Sequence, residues 1–352
     1  MTPSPIRVLV AGLGNMGMSH ALAYAANPGF EIVGLVNRSQ PELPAPLAGR
    51  EILPSFDEAL KELKPELCSI NTYSDSHAEY AIKAMEAGCH VFVEKPLATT
   101  VADAERVVAC ARANGRKMVV GYILRHHPSW IKLIELARGL GGPYVFRMNL
   151  NQQSSGKTWA THKALMQTTP PIVDCGVHYV DVMCQITDAR PMSVRGMGLR
   201  LSDEIAPDMY NYGHLQVMFD DGSIGWYEAG WGPMISETAF FVKDVMSPNG
   251  CVSIVMDPNA KSDDIDTHTK TSTIRLHKAK TGADGKFVEP DQMLAMAGEP
   301  GHQELCDREQ AYVLKAIRED IDLDRHMSDA VQSLRICLAA DESVRTGKMI
   351  DL

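Results

Sequence analysis

The run Gly12-Leu13-Gly14-Asn15-Met16-Gly17 constrains this chain more than any other feature, because it follows the apolar run Val8-Leu9-Val10 and opens a helical pattern. A Gly-x-Gly-x-x-Gly spacing is weak alone. Between a strand and a helix it matches the first turn of a dinucleotide-binding βαβ unit. There the first glycine permits a tight turn, the second lets backbone approach a pyrophosphate, and the third lets helix and strand pack closely. The helix N-terminus presents unpaired N–H groups to the anion.

The pattern around the run agrees. Apolar strand-like runs at residues 7–11, 31–36, 67–72, 90–94 and 117–121 alternate with helical segments. Ser55 with Glu58, and Ser76 with Glu79, have capping-box spacing, and Gly88 and Gly115 stand where helices end. Strand alternating with helix predicts α/β architecture, a doubly wound parallel sheet forming a dinucleotide-binding domain over residues 1–125. Beyond it the pattern changes. A helix at 128–138, closed by Gly139 to Pro143, precedes strand-like runs at 144–151, 192–201, 213–219, 223–229, 240–245 and 252–256. Asp220-Asp221-Gly222 marks a hairpin. Helices are expected at 172–186, 303–318 and 328–346, and a polar surface excursion at 257–285. Residues 126–352 therefore read as an α+β domain with a mostly antiparallel sheet.

Bulk properties narrow the function. A chain of 352 residues exceeds one comfortable core. A net charge of −10, without a block of five basic residues, disfavours nucleic acid and anionic membrane as partners. Eight cysteines without a C-x-x-C pair read as reduced thiols rather than a disulfide framework or zinc site. The sequence has no apolar run of spanning length and no leader-like N-terminus, which predicts a cytoplasmic setting.

Three constellations carry chemistry. At the end of the second strand, Val36-Asn37-Arg38-Ser39 lacks the carboxylate that NAD binders place against the ribose. Arg38 and Ser39 suit a 2′-phosphate, which favours NADP; NAD stays usable if Arg38 stacks on adenine or faces solvent. Glu94-Lys95-Pro96 closes the fourth expected strand, where ligands of parallel sheets collect. An ammonium there can hold a reacting hydroxyl and stabilise charge developing on its oxygen, with Glu94 orienting it or contacting the cofactor; a solvated charge pair before a helix-initiating proline is the alternative, and the Lys95–Pro96 bond is a candidate cis peptide. Asp174, His178 and Asp181, spaced i, i+4, i+7, share one face of a helix that is apolar almost all round. Ionisable groups on such a helix are costly unless paired or facing a cleft. Histidine suits removal of a hydroxyl proton near neutral pH, with Asp174 holding substrate or tuning it; a self-satisfied structural Asp–His pair is the alternative. Gln152, Gln153, Lys157, Trp159 and His162 are candidates for hydroxyl-rich ligands through hydrogen bonds and stacking, or surface residues of a long loop. His126, His127 and His302 lack metal-ligand spacing, and no metal is expected.

Gly12–Gly17, the run from Ser76-His77-Ala78-Glu79 to His90-Val91, Glu94-Lys95-Pro96 and Asp174-x-Gly-x-His178 resemble, in order and spacing, the Gfo/Idh/MocA oxidoreductases. The resemblance implies an N-terminal Rossmann domain and a C-terminal open-faced sheet, whose exposed face makes homodimers or homotetramers. It implies NAD(P)-dependent oxidation of a secondary alcohol on a sugar, inositol or related polyol, or the reverse reduction. By motif position Lys95, Asp174 and His178 are the catalytic set. His77 and Glu94 lie near nicotinamide, with Gly12, Gly14, Asn15, Met16, Gly17, Asn37, Arg38, Ser39, Thr72 and Lys95 completing the cofactor contacts. Arg125 resembles the family's arginine after the fifth strand, and with Gln152 and Trp159 joins the substrate set; the His126-His127 pair departs from the usual aromatic. The fold also supports redox-type glycosidases that retain NAD, and a non-catalytic nicotinamide-binding protein remains an alternative.

Overall fold

The computed structural model describes residues 4–236, 242–256 and 271–352, arranged as two compact units. The first comprises Met1–Ile123 with Gln303–Val331, the second Leu124–His302 with Gln332–Leu352.

The first unit runs β1 (Ile6–Ala11), α1 (Asn15–Ala26), β2 (Phe30–Val36), β3 (Ile52–Leu53), α2 (Phe56–Leu63), β4 (Leu67–Ile70), α3 (Ser74–Glu86), β5 (His90–Val93), α4 (Val101–Asn114) and β6 (Met118–Val120). All its strands pair in parallel, in the order β3-β2-β1-β4-β5-β6. Val8, Leu9 and Val10 are fully buried, as in a strand covered on both faces. The order reverses between β1 and β4, the switch point where such sheets bind ligands beyond their strand ends. Ser55 caps α2 as expected, its Oγ accepting from the Glu58 N–H at 3.3 Å. Ser76 is a correction. The helix α3 begins at Ser74, and Ser76 lies inside its first turn, donating back to the Tyr73 carbonyl at 2.9 Å instead of capping forward. The strand β3, two residues long, escaped the pattern.

The second unit begins with α5 (Pro128–Leu140), two residues longer than expected, so Gly139 lies within it. Then come β7 (Val145–Gln153), α6 (Gly156–Leu165), α7 (Pro171–Asp174), α8 (Gly176–Ile186), β8 (Pro191–Leu199), β9 (Tyr212–Phe219), β10 (Ile224–Gly232), β11 (Lys243–Ser247), β12 (Gly250–Met256), β13 (Thr271–Lys278) and β14 (Gln292–Ala295). Two helices follow, α9 (His302–Arg318) and α10 (Asp324–Thr346), before β15 (Ile350–Asp351). Most of α9 belongs to the first unit, where Val313 and Ala316 join the apolar cluster of Val8, Val10, Leu35 and Phe92.

Among the described residues, the sheet of the second unit has nine strands in the order β14-β13-β12-β11-β7-β10-β9-β8-β15. Of the pairings among them only β7 with β10 is parallel; the others are antiparallel. Asp220-Asp221-Gly222 turns β9 into β10 as its composition demands, with Phe219 N–H on the Ser223 carbonyl at 2.9 Å. Along β9, Gly213, Leu215, Val217 and Phe219 are buried while Gln216 and Met218 are exposed, so one face is covered and the other open.

Two expectations are revised here. The helix at 172–186 is two helices, α7 and α8, interrupted at Cys175; a Cβ on the next residue, Gly176, would lie 3.1 Å from Cys337 Sγ and 3.3 Å from the Tyr227 ring. The excursion expected at 257–285 contains β13, whose alternation is only partly apolar; residues 257–270 lie outside the described residues, as do 240 and 241 of the expected strand at 240–245.

Candidate active site

Each unit holds one group of the expected residues. In the first, the glycine run links β1 to α1. Gly12 adopts φ +88° against β4, where a side chain would strike the Asn71 carbonyl, and a Cβ on Gly17 would strike the Gly12 carbonyl. Gly14 differs: nothing lies within 4 Å of its Cβ position, and both it and Asn15 are exposed. No side chain caps α1, and its first turn holds no acidic residue. The N–H groups that an α-helix leaves unpaired at its start are thus unobstructed by a side-chain acceptor. Asn15, Met16 and Gly17 suit the pyrophosphate of a dinucleotide.

Asn37, at the end of β2, is a strut of this loop. Its Oδ1 accepts from the Leu13 N–H at 3.0 Å, and its Nδ2 donates to the carbonyl and Oγ of Ser39, both at 3.0 Å. Arg38 is exposed, with its guanidinium 5.3 Å from the centre of the Tyr73 ring, and no carboxylate pairs with it among the described residues. Sequence reasoning missed Tyr73.

The other side of the switch point carries Glu94, Lys95 and Pro96. The Lys95–Pro96 peptide is cis. His77 binds this turn to the β4 end, with Nδ1 2.7 Å from the Pro96 carbonyl oxygen and Nε2 3.0 Å from that of Thr72. A neutral ring has one N–H, so it donates to one of these carbonyls at a time. Thr72 also pairs its Oγ1 with Ser76 Oγ at 2.6 Å. Glu94 is buried, with Oε1 2.8 Å from His20 Nε2 and Oε2 accepting the Lys95 backbone N–H at 2.9 Å. Burial pushes its carboxyl up, but the His20 bond and the Lys95 charge hold it below the usual carboxylate range. Lys95 itself is half-buried.

In the second unit, Asp174 ends α7 and His178 stands in the first turn of α8. Residues 171–177 are all buried, whereas His178 is half-exposed, the single opening in that stretch of helix. Asp181 is committed elsewhere. Arg125 grips it with two bonds, Nε to Oδ2 at 2.9 Å and Nη2 to Oδ1 at 2.5 Å, and Gln185 adds another at 2.9 Å. Arg125 and Asp181 thus form a buried clamp between the turn before α5 and the helix carrying His178.

The residues expected to rim a cleft sit on α6, a helix the sequence pattern did not reveal, and on β7. Trp159 Nε1 donates to Glu204 Oε1 at 3.2 Å, beside the Lys163–Glu204 ion pair, and His162 stacks on Trp231 at 4.3 Å. Gln152 Oε1 accepts from Trp231 Nε1 at 2.9 Å, Gln153 ends β7 half-buried, and Lys157 is exposed. His127 caps α5, accepting from the Ser129 N–H and bonding Glu299 at 2.9 Å. His126 has its pKa pushed down to about 4 by burial and the adjacent Arg125 charge, and His302 starts α9 half-buried.

Among described residues, no helix is long and apolar enough to cross a membrane. A family model described as "Oxidoreductase family, NAD-binding Rossmann fold" matches residues 6–122, and one described as "GFO/IDH/MocA C-terminal domain" matches residues 133–237. The chain is 30% identical over 189 residues to D-glucoside 3-dehydrogenase of Escherichia coli (51% of this chain, 54% of the relative). It is 27% identical over 183 residues to inositol 2-dehydrogenase of Salmonella typhimurium (49% and 52%). It spans about half the length of the curated relatives it matches. Among solved structures, GenD2 from gentamicin A biosynthesis, in complex with NAD, superposes with a TM-score of 0.76 over 100% of this chain and 97% of that one, at 19% identity, a likeness of fold.

Proposed function

The chain belongs to the Gfo/Idh/MocA oxidoreductases, and on that premise we propose that it is an NAD(P)-dependent dehydrogenase or reductase. Its substrate is a secondary alcohol, or the matching ketone, on a sugar, sugar derivative or inositol-type polyol. The observation that carries this is the cradle at the β1–β4 switch point, open at Gly14 and uncapped at α1, with Lys95 at the end of the neighbouring strand β5. The names of the relatives, D-glucoside 3-dehydrogenase and inositol 2-dehydrogenase, support the substrate class.

A bound nicotinamide dinucleotide supplies the two-electron acceptor. Gly12, Gly14, Asn15, Met16 and Gly17 would hold its pyrophosphate, and Asn37, Arg38 and Ser39 its adenosine ribose. The remaining work falls to side chains. Lys95 would hold the reacting oxygen and lower the cost of charge developing there. His178 would accept the hydroxyl proton in oxidation, and Asp174 would bind an adjacent hydroxyl. NADP is favoured over NAD because Arg38 is a cation without a paired carboxylate. Homo-oligomerisation through the open sheet face is supported by Met197, Leu199, Met218 and Ile224, exposed apolar residues that the strand register places on that one face. A cytoplasmic setting completes the reading.

The test is a panel of monosaccharides, glycosides and inositols against both cofactors, read by reduced-nicotinamide fluorescence. A substrate should be found, and Lys95→Ala should abolish its turnover while leaving cofactor binding nearly intact. Cofactor binding without turnover of any polyol would overturn the dehydrogenase reading. Near-normal kcat in the Lys95 variant would overturn the assignment of that residue.

A further inference from the structure

Behind Lys95 the first unit buries a polar chain that the reading above does not use. Tyr24, His20, Glu94, Glu309 and Gln310 are all buried, on α1, the β5 end and α9. Tyr24 Oη lies 2.7 Å from Gln310 Oε1, Gln310 Nε2 lies 2.9 Å from His20 Nδ1, and His20 Nε2 lies 2.8 Å from Glu94 Oε1. Glu94 Oε2 then accepts from the Lys95 N–H.

With Glu94 a carboxylate and the His20 ring neutral, this chain runs in one direction, because a carboxylate only accepts. His20 must therefore carry its proton on Nε2. A neutral ring then presents a lone pair at Nδ1, which requires the amide nitrogen of Gln310. The amide oxygen is left to accept the Tyr24 hydroxyl, and burial raises that phenol's pKa far above neutrality, so it remains a donor. Every link agrees with the one before it.

The carboxylate is also boxed. A Cβ on Gly121 would come 3.0 Å from Glu94 Oε1, and the Phe92 ring lies edge-on to His20 at 4.6 Å. Other ionisable groups face it. Glu309 on α9 has its pKa pushed well up by burial and by the Glu94 charge, and so stays neutral. His77 on α3 has its pKa lowered, chiefly by burial. Lys95 is the nearby cation.

We propose that Tyr24, Gln310 and His20 are positioning residues whose one-way hydrogen-bond chain holds Glu94 against the Lys95 backbone and directs its charge to that lysine. The inference rests on Lys95 acting in turnover, as proposed above. An amide delivered by α9 thus sets a histidine tautomer, and the tautomer keeps Glu94 an unprotonated anion beside the reactive ammonium.

Two measurements test this. The first needs no activity: nitrogen-15 spectra of histidine-labelled protein should show His20 as the Nε2–H tautomer with a lone pair at Nδ1. An Nδ1–H tautomer or an imidazolium would overturn the chain. So would a stoichiometric metal in elemental analysis, since the ligand atoms of His20, Glu94 and Glu309 lie within 4.8 Å of one another. The second is kinetic. Gln310→Leu should lower kcat about 10- to 100-fold, the range outer-shell partners command, with KM for cofactor little changed. Its alkaline limb should move to lower pH, because an ammonium beside a weakened anion loses its proton sooner. A variant that merely folds less well would lower the active fraction without moving that limb. The expected tautomer combined with an unmoved limb would overturn the positioning role and leave the dehydrogenase reading standing.

Discussion

Glu94 and Asp181 are both buried carboxylates beside residues assigned to chemistry, yet they are satisfied in opposite ways. Asp181 is held by a guanidinium and an amide, so its charge is cancelled where it stands. Glu94 is held by the His20 ring and a backbone N–H, with no guanidinium among the partners named above. On the reading proposed above, its charge acts on Lys95. Burial alone therefore does not mark a working acid; the charge of its partners does. Asp181 has the partners of a support; Glu94 has those that the proposed role requires.

The contrast can be broken most forcefully at the clamp. Arg125→Leu leaves an uncompensated buried anion and should cost about 3–5 kcal/mol of stability, measured by urea unfolding. Replacing Asp181 by Leu in the same protein should restore most of that loss. Should Arg125→Leu instead retain full stability and raise only KM for substrate, Arg125 is a substrate contact rather than a clamp.

Glu94→Gln should show the reverse balance. It keeps the shape but removes the charge and sets a donor against one of two N–H groups. Its kcat should fall about 100-fold, comparable to losing a preorganised electrostatic partner, while the unfolding midpoint moves much less than in Arg125→Leu. Equal losses of stability in the two variants would erase the distinction.

A pH titration sharpens the same point at smaller scale. His126 has a folded-state pKa of about 4 against 6.5 for a free imidazole. The unfolded chain therefore takes up that proton first. Stability should fall as pH drops from 6.5 towards 4, by up to about 2 kcal/mol, the full shift being discounted because the half-buried ring is partly screened. Glu94 acts at lower pH. With its pKa depressed, its contribution is present above the ordinary carboxylate range and is lost as pH falls through the lowered value. His126→Asn should flatten the upper part of this profile alone. The smallest effect lies at Arg38, where Ala should raise KM for NADP about tenfold, roughly 1.4 kcal/mol, with KM for NAD within about twofold. Equal changes for both cofactors would assign Arg38 to adenine stacking.

The parallel sheet was legible because each of its βα units announces itself locally, through an apolar run, a cap such as Ser55 and a closing residue such as Gly115. The glycine run and Lys95 were legible for the same reason. What escaped depended on distant partners. The bond of Gln310 to His20 joins residues 290 apart in sequence, and nothing in either neighbourhood signals it. His20 reads locally as one polar residue among Ala21, Leu22, Ala23 and Tyr24, and only its partners give it meaning. Asp181 was singled out with Asp174 and His178 by spacing; its partner Arg125 lies 56 residues upstream, so its commitment was invisible. The close packing of Tyr227 and Cys337 against Gly176 was invisible for the same reason. Ser76 failed as a cap because its hydroxyl chose a nearer carbonyl.

The strut at Asn37 has an evolutionary consequence. One side-chain oxygen braces the glycine turn, while the nitrogen beside it holds Ser39. Exchange for aspartate retains the brace, frees the serine and supplies the anion that a bare ribose diol prefers. That exchange requires a single nucleotide change in the codon. On the proposed NADP reading, a switch of coenzyme is one step away without dismantling the turn, whereas an aliphatic residue at the same place would remove the brace.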